Sequence, residues 1–220
     1  MIANRLNSRS ELPPGVRRYT PEDLPTMTAI FNESALGGTS SPVLRAFSLE
    51  EMTFFVDCFV KEGDPIYVLE RGGEVVAWLI VNRFSWGAQA CRLTGEVSIY
   101  VRHDHVGSGV GIRLGQAAVV LARRYGFETL VAWIIEHNAA SKRGVQGLGA
   151  AQWGRFPGIA RFAELRADVV LYGLHLTSET STDSGVRVEQ ACRADGTGLI
   201  RDRATPPPPR AASAGPDSPR

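Results

Sequence analysis

The chain has 220 residues, 44% of them hydrophobic, which is enough to bury one full-sized core. Its 24 basic and 23 acidic residues leave a formal net charge of +1. No Lys/Arg run long enough to neutralise a nucleic-acid backbone occurs in residues 1–177, so nucleic acid is not an expected partner. The cysteines, Cys58, Cys91 and Cys192, are odd in number and widely spaced, against a disulfide framework or a cysteine zinc site. The N-terminal residues lack the apolar core of a signal peptide, and no apolar stretch is long enough to span a bilayer. A cytoplasmic protein with no membrane partner is expected.

Residues 1–15 read as a flexible N-terminus. Val16 to Tyr19 reads as a short strand, and Thr20, Pro21 and Asp23 give an N-cap, an N1 proline and a near-capping box for a helix running to about Leu36. Gly37 to Pro42 is a loop, and Ser48-Leu49-Glu50-Glu51 opens a second helix to about Lys61. Ile66 to Glu70 and Glu74 to Val81 form a hairpin through Arg71-Gly72-Gly73, and Gly95 to Val101 is the next strand.

After that strand come Val106, Gly107, Ser108, Gly109, Val110 and Gly111, then an amphipathic helix. Glycines let backbone N–H groups turn inward, and the helix N-terminus adds partial positive charge, so the loop can cradle a pyrophosphate without a lysine. Thr129 to Ile135 is an apolar run of strand length, Asn138 to about Gly147 a short helix, and Ala150 to Phe156 and Asp168 to Leu176 are strands. The fold class is mixed α/β: one domain over residues 16–177, with a mostly antiparallel sheet of about seven strands and helices on both faces. Residues 178–220, rich in Ser, Arg and Pro, read as a disordered tail.

A Rossmann loop is the rival. However, Arg102 to Val106 separate the strand from Gly107, and Ile112 stands where a third glycine belongs; no Gly-Lys-Ser/Thr follows for a P-loop.

The loop, together with Thr94-Gly95-Glu96, Ser98-x-Tyr100-Val101, Asn138-Ala139-Ala140-Ser141 and Asp168-Val169, resembles the GNAT superfamily of acyl-CoA-dependent N-acetyltransferases. More narrowly, it is similar to the phosphinothricin N-acetyltransferase-like branch, over Val16 to Leu176. The family's Gln/Arg-x-x-Gly-x-Gly falls on residues 106–111, with Val106 replacing the polar residue. The resemblance implies a GNAT-like fold and acetyl-CoA as cosubstrate, with no metal. The loop would hold the pyrophosphate, Ser98, Ile99, Tyr100 and Val101 would pair with the pantetheine arm, and Asn138 and Ser141 would bind that arm or the reaction zone.

An amine with a pKa of about 10 must lose a proton before attacking a thioester. Glu96 shares a strand face with Ser98 and Tyr100, away from Val97, Ile99 and Val101, and is the expected general base; as an alternative it is a solvent-facing residue paired with Arg92 or Arg102. A backbone N–H near Ile99 would polarise the acetyl carbonyl. The family position for a general acid is Val145, and the thiol leaving group, with a pKa of about 8.5, can depart with little help.

Where relatives that acetylate phosphinothricin carry pocket residues, this chain has Pro42, Cys91 and Arg166-Ala167. Arg45, Asn82, Arg83 and Trp86 are candidate substrate contacts, because an arginine can grip an anionic amino acid bidentately. Trp78, Trp133 and Trp153 lie on apolar strands and read as core. His103, Asp104 and His105 form a turn whose spacing suits no common zinc site. The expected activity is transfer of an acetyl group to the amine of a small amino acid or amino-acid-like compound. A peptide or protein N-acetyltransferase and a non-catalytic acyl-CoA-binding module stay open, as does a homodimer.

Overall fold

A computed structural model describes residues 11–36, 43–162 and 165–176. The expected tail and the loop containing Pro42 lie outside the described residues. Seven strands form one sheet in the order β1-β2-β3-β4-β5-β7-β6. They are β1 Val16–Arg18, β2 Ile66–Arg71, β3 Glu74–Arg83, β4 Thr94–Val101, β5 Thr129–Ile135, β6 Ala151–Phe162 and β7 Leu165–His175. The pairings are antiparallel except for β4 with β5, which is parallel.

The helices are α1 Leu24–Leu36, α2 Leu49–Lys61, α3 Val110–Arg124 and α4 Ala139–Gly147. Ser48 and Glu51 form the expected capping box at α2. At Thr20 the box instead starts a 3₁₀ turn, Pro21–Asp23, before α1. The reason lies in Asp23, whose carboxylate takes the Thr20 N–H at 2.7 Å and both Arg17 guanidinium nitrogens at 2.7 and 2.9 Å, fastening the turn to β1.

The alternation of strand residues sorts the core into layers. On one face Leu79, Val81, Val97, Ile99 and Val101 pack with α3 residues such as Leu114, Ala118 and Leu121. On the other, Val68, Trp78, Ile80 and Tyr100 pack with Met27, Phe31, Met52 and Val56 of α1 and α2. The aromatic ring of Tyr100 stacks on Trp78 at 4.3 Å and lies 5.1 Å from Phe31.

The last hairpin departs from expectation. Residues 157–162 and 165–167, which fall between the two expected strands, extend β6 and β7, because Pro157 and Gly158 sit in a bulge between Phe156 and Ala160. Asp168 clasps that bulge, accepting from the Gly158 N–H at 2.8 Å and from Arg155 at 2.6 Å. Trp78 is fully buried as expected, but Trp133 and Trp153 are 39% and 44% exposed. Both stand on the β5–β7–β6 half of the sheet, beyond the core built by α1 and α2. No helix among the described residues is long and apolar enough to cross a membrane.

Candidate active site

β4 and β5 pair only through Thr94–Thr129, Gly95–Leu130 and Glu96–Val131, although β4 continues to Val101 and β5 to Ile135. Past Glu96 the two strands have parted. On its other side β4 stays paired with β3 from Gly95 to Val101. The Arg102 N–H donates to Val76 at 2.9 Å on β3, so by strand alternation the even-numbered amides of β4 point to β3 and the odd-numbered ones to the gap. Ile99 and Val101 therefore present N–H groups, and Val97 a carbonyl, along an unpaired edge of the fork.

Glu96 sits where the strands separate. It is half-buried, and burial pushes its carboxyl above the ordinary glutamate value, with a hydrogen bond from Trp133 holding it partly down. Asn82 is its partner across β3 and shares its face. The solvent-facing alternative, an ion pair with Arg92 or Arg102, is not what forms: Arg102 binds Glu74 and Asp104, and Arg92 donates to the Gln89 carbonyl.

The glycine loop follows a 3₁₀ turn, His103–His105. Gly107 and Gly109 take φ of +84° and +85°, the left-handed region that favours glycine, and Gly109 is the N-cap of α3. No side chain caps α3, which leaves its first N–H groups to an external acceptor. A Cβ on either glycine would meet nothing within 4 Å, so the space above the loop is open. Ser108 donates to the His105 carbonyl at 2.7 Å, and Val106 is 56% exposed. This cradle could hold a pyrophosphate, and the open edge of β4 could pair with amides such as those of a pantetheine arm.

The remaining candidates separate. Tyr100 turns its ring into the core, where burial pushes its hydroxyl up to about 12, so its backbone alone stays near the fork. Asn138 caps α4, its side chain accepting from the Ser141 N–H at 3.0 Å. Val145 packs in a cluster with Ala132, Ile134 and Tyr172. The buried Tyr172 hydroxyl of that cluster accepts from the Gln146 side-chain amide at 3.4 Å.

Arg45 pairs with Glu51 at 2.5 Å and lies over the Phe47 ring. Arg83 alternates to the other face of β3 and lines an open depression of about 430 Å³ with Glu62, Asp64 and Arg92. The Trp86 side chain lies outside the description. Sequence reasoning missed Trp133, whose ring stands beside Glu96. Its signal is the register, for Trp133 is two residues beyond Val131, the parallel partner of Glu96.

Residues 27–149 match the family described as acetyltransferase (GNAT) family. The chain is 39% identical over 117 residues to the Bacillus subtilis protein named "Putative phosphinothricin acetyltransferase YwnH", covering 53% of this chain and 71% of that one. It is 34% identical over 141 residues to the L-methionine sulfoximine/L-methionine sulfone acetyltransferase of Pseudomonas aeruginosa, covering 63% and 81%. Among solved structures, the Salmonella typhimurium protein described as "yncA, a putative acetyltransferase", determined with its cofactor acetyl-CoA, superposes with a TM-score of 0.70 at 25% identity, covering 77% of this chain and 97% of that one. The chain belongs to the GNAT acetyltransferase family, in its phosphinothricin acetyltransferase-like branch, and is an N-acetyltransferase with acetyl-CoA as cosubstrate.

Proposed function

We propose that the chain acetylates the primary amine of a small amino acid or amino-acid-like compound, with Glu96 as general base. The observation that carries this reading is a half-buried carboxylate, raised in pKa, at the point where β4 parts from β5. The names of the relatives, which act on methionine sulfoximine and methionine sulfone, support the substrate class.

Bound acetyl-CoA supplies an acetyl thioester. The amine arrives protonated, and Glu96, directly or through water, takes its proton so that the nitrogen lone pair is free to form the N–C bond as the C–S bond breaks. Burial suits the base to this work, because a carboxyl raised from its ordinary value holds a proton more firmly. The Ile99 N–H, aimed into the fork, would polarise the carbonyl. As the amide forms the nitrogen gives up its second proton to solvent, and with Val145 in the family's acid position the thiolate leaves unassisted and takes its proton from solvent.

The test is thiol release from acetyl-CoA with a panel of free amino acids, methionine sulfoximine included, and with short peptides. Glu96→Gln should lower kcat/KM by about 10²–10⁴-fold. In the wild type kcat/KM should rise with pH through an acid limb lying above the ordinary glutamate value, and the variant should lose that limb. A Glu96→Gln enzyme with the wild-type rate would remove Glu96 from the reaction. Turnover of peptides alone would shift the substrate to a chain N-terminus, and acetyl-CoA binding without turnover of any amine would leave a binding module.

A further inference from the structure

Three aromatic rings from separate elements meet beside Glu96. Trp133 projects from β5, Phe84 from the turn that ends β3, and Phe156 from β6. The Trp133 ring lies 6.4 Å from Phe84, nearly parallel at 23°, and 5.0 Å from Phe156 at 55°. All three lie on the Glu96 side of the sheet. Asn82 is the partner of Glu96 on β3 and Phe84 follows it in the turn, Val131 and Trp133 share a face of β5, and Phe156 pairs with Val169 in the layer that contains Ile135.

This cluster is not core. Trp133 and Phe156 stay 39% and 36% exposed, and the helices that cover β2 to β4 on this face stop short of it. A tryptophan left this open forgoes much of the transfer free energy that burial would give it, and the register sets it beside Glu96, where an indole N–H favours the charged form of the carboxylate.

Charge narrows what the wall can accept. Arg45, Arg83 and Arg155 each face a carboxylate elsewhere: Glu51, Glu62 and Asp168. An acceptor with an anionic side chain would thus bring a second negative charge to Glu96 and to the negative faces of the rings, without one of these guanidiniums to pair it. An ammonium group with an apolar body suits both, since the cation is attracted to the ring faces and the carboxylate while the body packs on the aromatic surface.

We propose that Trp133, with Phe84 and Phe156, forms the side-chain wall of the acceptor site and sets it for amines bearing apolar or aromatic side chains, and that its indole N–H orients the Glu96 carboxylate. The inference rests on Glu96 being the base. Trp133 is a positioning residue toward that base and a specificity residue toward the amine. Among the described residues, Asn82 from β3, Ser98 and Tyr100 on its own strand and Trp133 from β5 share the Glu96 face, and Tyr100 is neutral with its hydroxyl pushed up to about 12.

The experiment compares kcat/KM of the full chain for phenylalanine, leucine and methionine against glutamate and phosphinothricin, in wild type, Trp133→Ala and Trp133→Phe. Wild type should favour the apolar group by about tenfold or more. Trp133→Ala should collapse that ratio toward unity. Trp133→Phe, which keeps a ring and guards against loss of fold, should keep the ratio but move the acid limb of kcat/KM to higher pH, because the carboxylate loses the donor that favours its charged form. Preference for the anionic amines, or a ratio that survives Trp133→Ala, would overturn the wall. An acid limb unmoved in Trp133→Phe would overturn the orienting role. Turnover without side-chain preference defeats this inference alone, whereas no turnover of any amine by protein that binds acetyl-CoA defeats the proposed reaction as well.

Discussion

Glu96 occupies a position that favours its neutral form, since burial raises its carboxyl above the ordinary value. A group raised in the folded state contributes stability below its unfolded pKa and loses it as pH rises through the folded pKa, so at neutral pH the charge works against the fold. Replacing it with the neutral isostere should separate activity from stability. Glu96→Gln is expected to melt about 1–3 °C higher than wild type at pH 7.5, with the gain vanishing near pH 4, as read by calorimetry. Equal melting temperatures at pH 7.5 would mean that the carboxylate is better solvated than its surroundings indicate. The face that Glu96 occupies was legible in the sequence because strand alternation sets it opposite Val97 and Ile99. Trp133 was not, because every residue from Leu130 to Ile135 is apolar, and such a run does not distinguish a face under a helix from one left open.

At the level of elements, the glycine loop shows how far a motif can be read. Its position between strand and helix was legible, but Gly107, Gly109 and Gly111 look alike in the sequence and differ in the fold. Gly107 and Gly109 have left-handed φ, whereas a Cβ on Gly111, inside α3, would lie 3.8 Å from Val101, an ordinary contact. Gly107→Ala and Gly109→Ala should each raise the KM for acetyl-CoA by about tenfold, through a backbone cost of about 1–2 kcal/mol at the cradle. Gly111→Ala should leave that KM within about twofold and favour the helix, since alanine gains up to about 1 kcal/mol over glycine there. Kinetics on the three variants checks the ranking, and equal effects would contradict it. The β6–β7 hairpin was less legible. Pro157 and Gly158 are loop residues by composition, and their place within a bulge depends on Asp168, ten residues after Gly158 in the chain and adjacent to it in space.

For the whole molecule, the order of the elements was readable, from the first strand through the hairpin, the glycine loop and the buried β5. What could not be read was the uneven covering of the sheet. Local pattern tells which residues are apolar, but α1 and α2 shelter β2 to β4 and leave the rings near β5 exposed, and only their docking decides that. The parting of β4 from β5 is likewise a long-range property, invisible in either strand alone.

That parting divides a single strand into two sets of amides with different fates. Along β4 the even-numbered N–H groups of Ser98 and Tyr100 are bonded to β3, while those of Ile99 and Val101 face the fork. Isotope exchange followed residue by residue should therefore alternate along the strand in the free protein, slow at 98 and 100 and fast at 99 and 101. Acetyl-CoA, lying along the fork as an eighth strand, should slow Ile99 and Val101 and erase the alternation. It would also bridge halves of the sheet that three residue pairs otherwise join, so the ligand completes a hydrogen-bonded layer that the polypeptide leaves open.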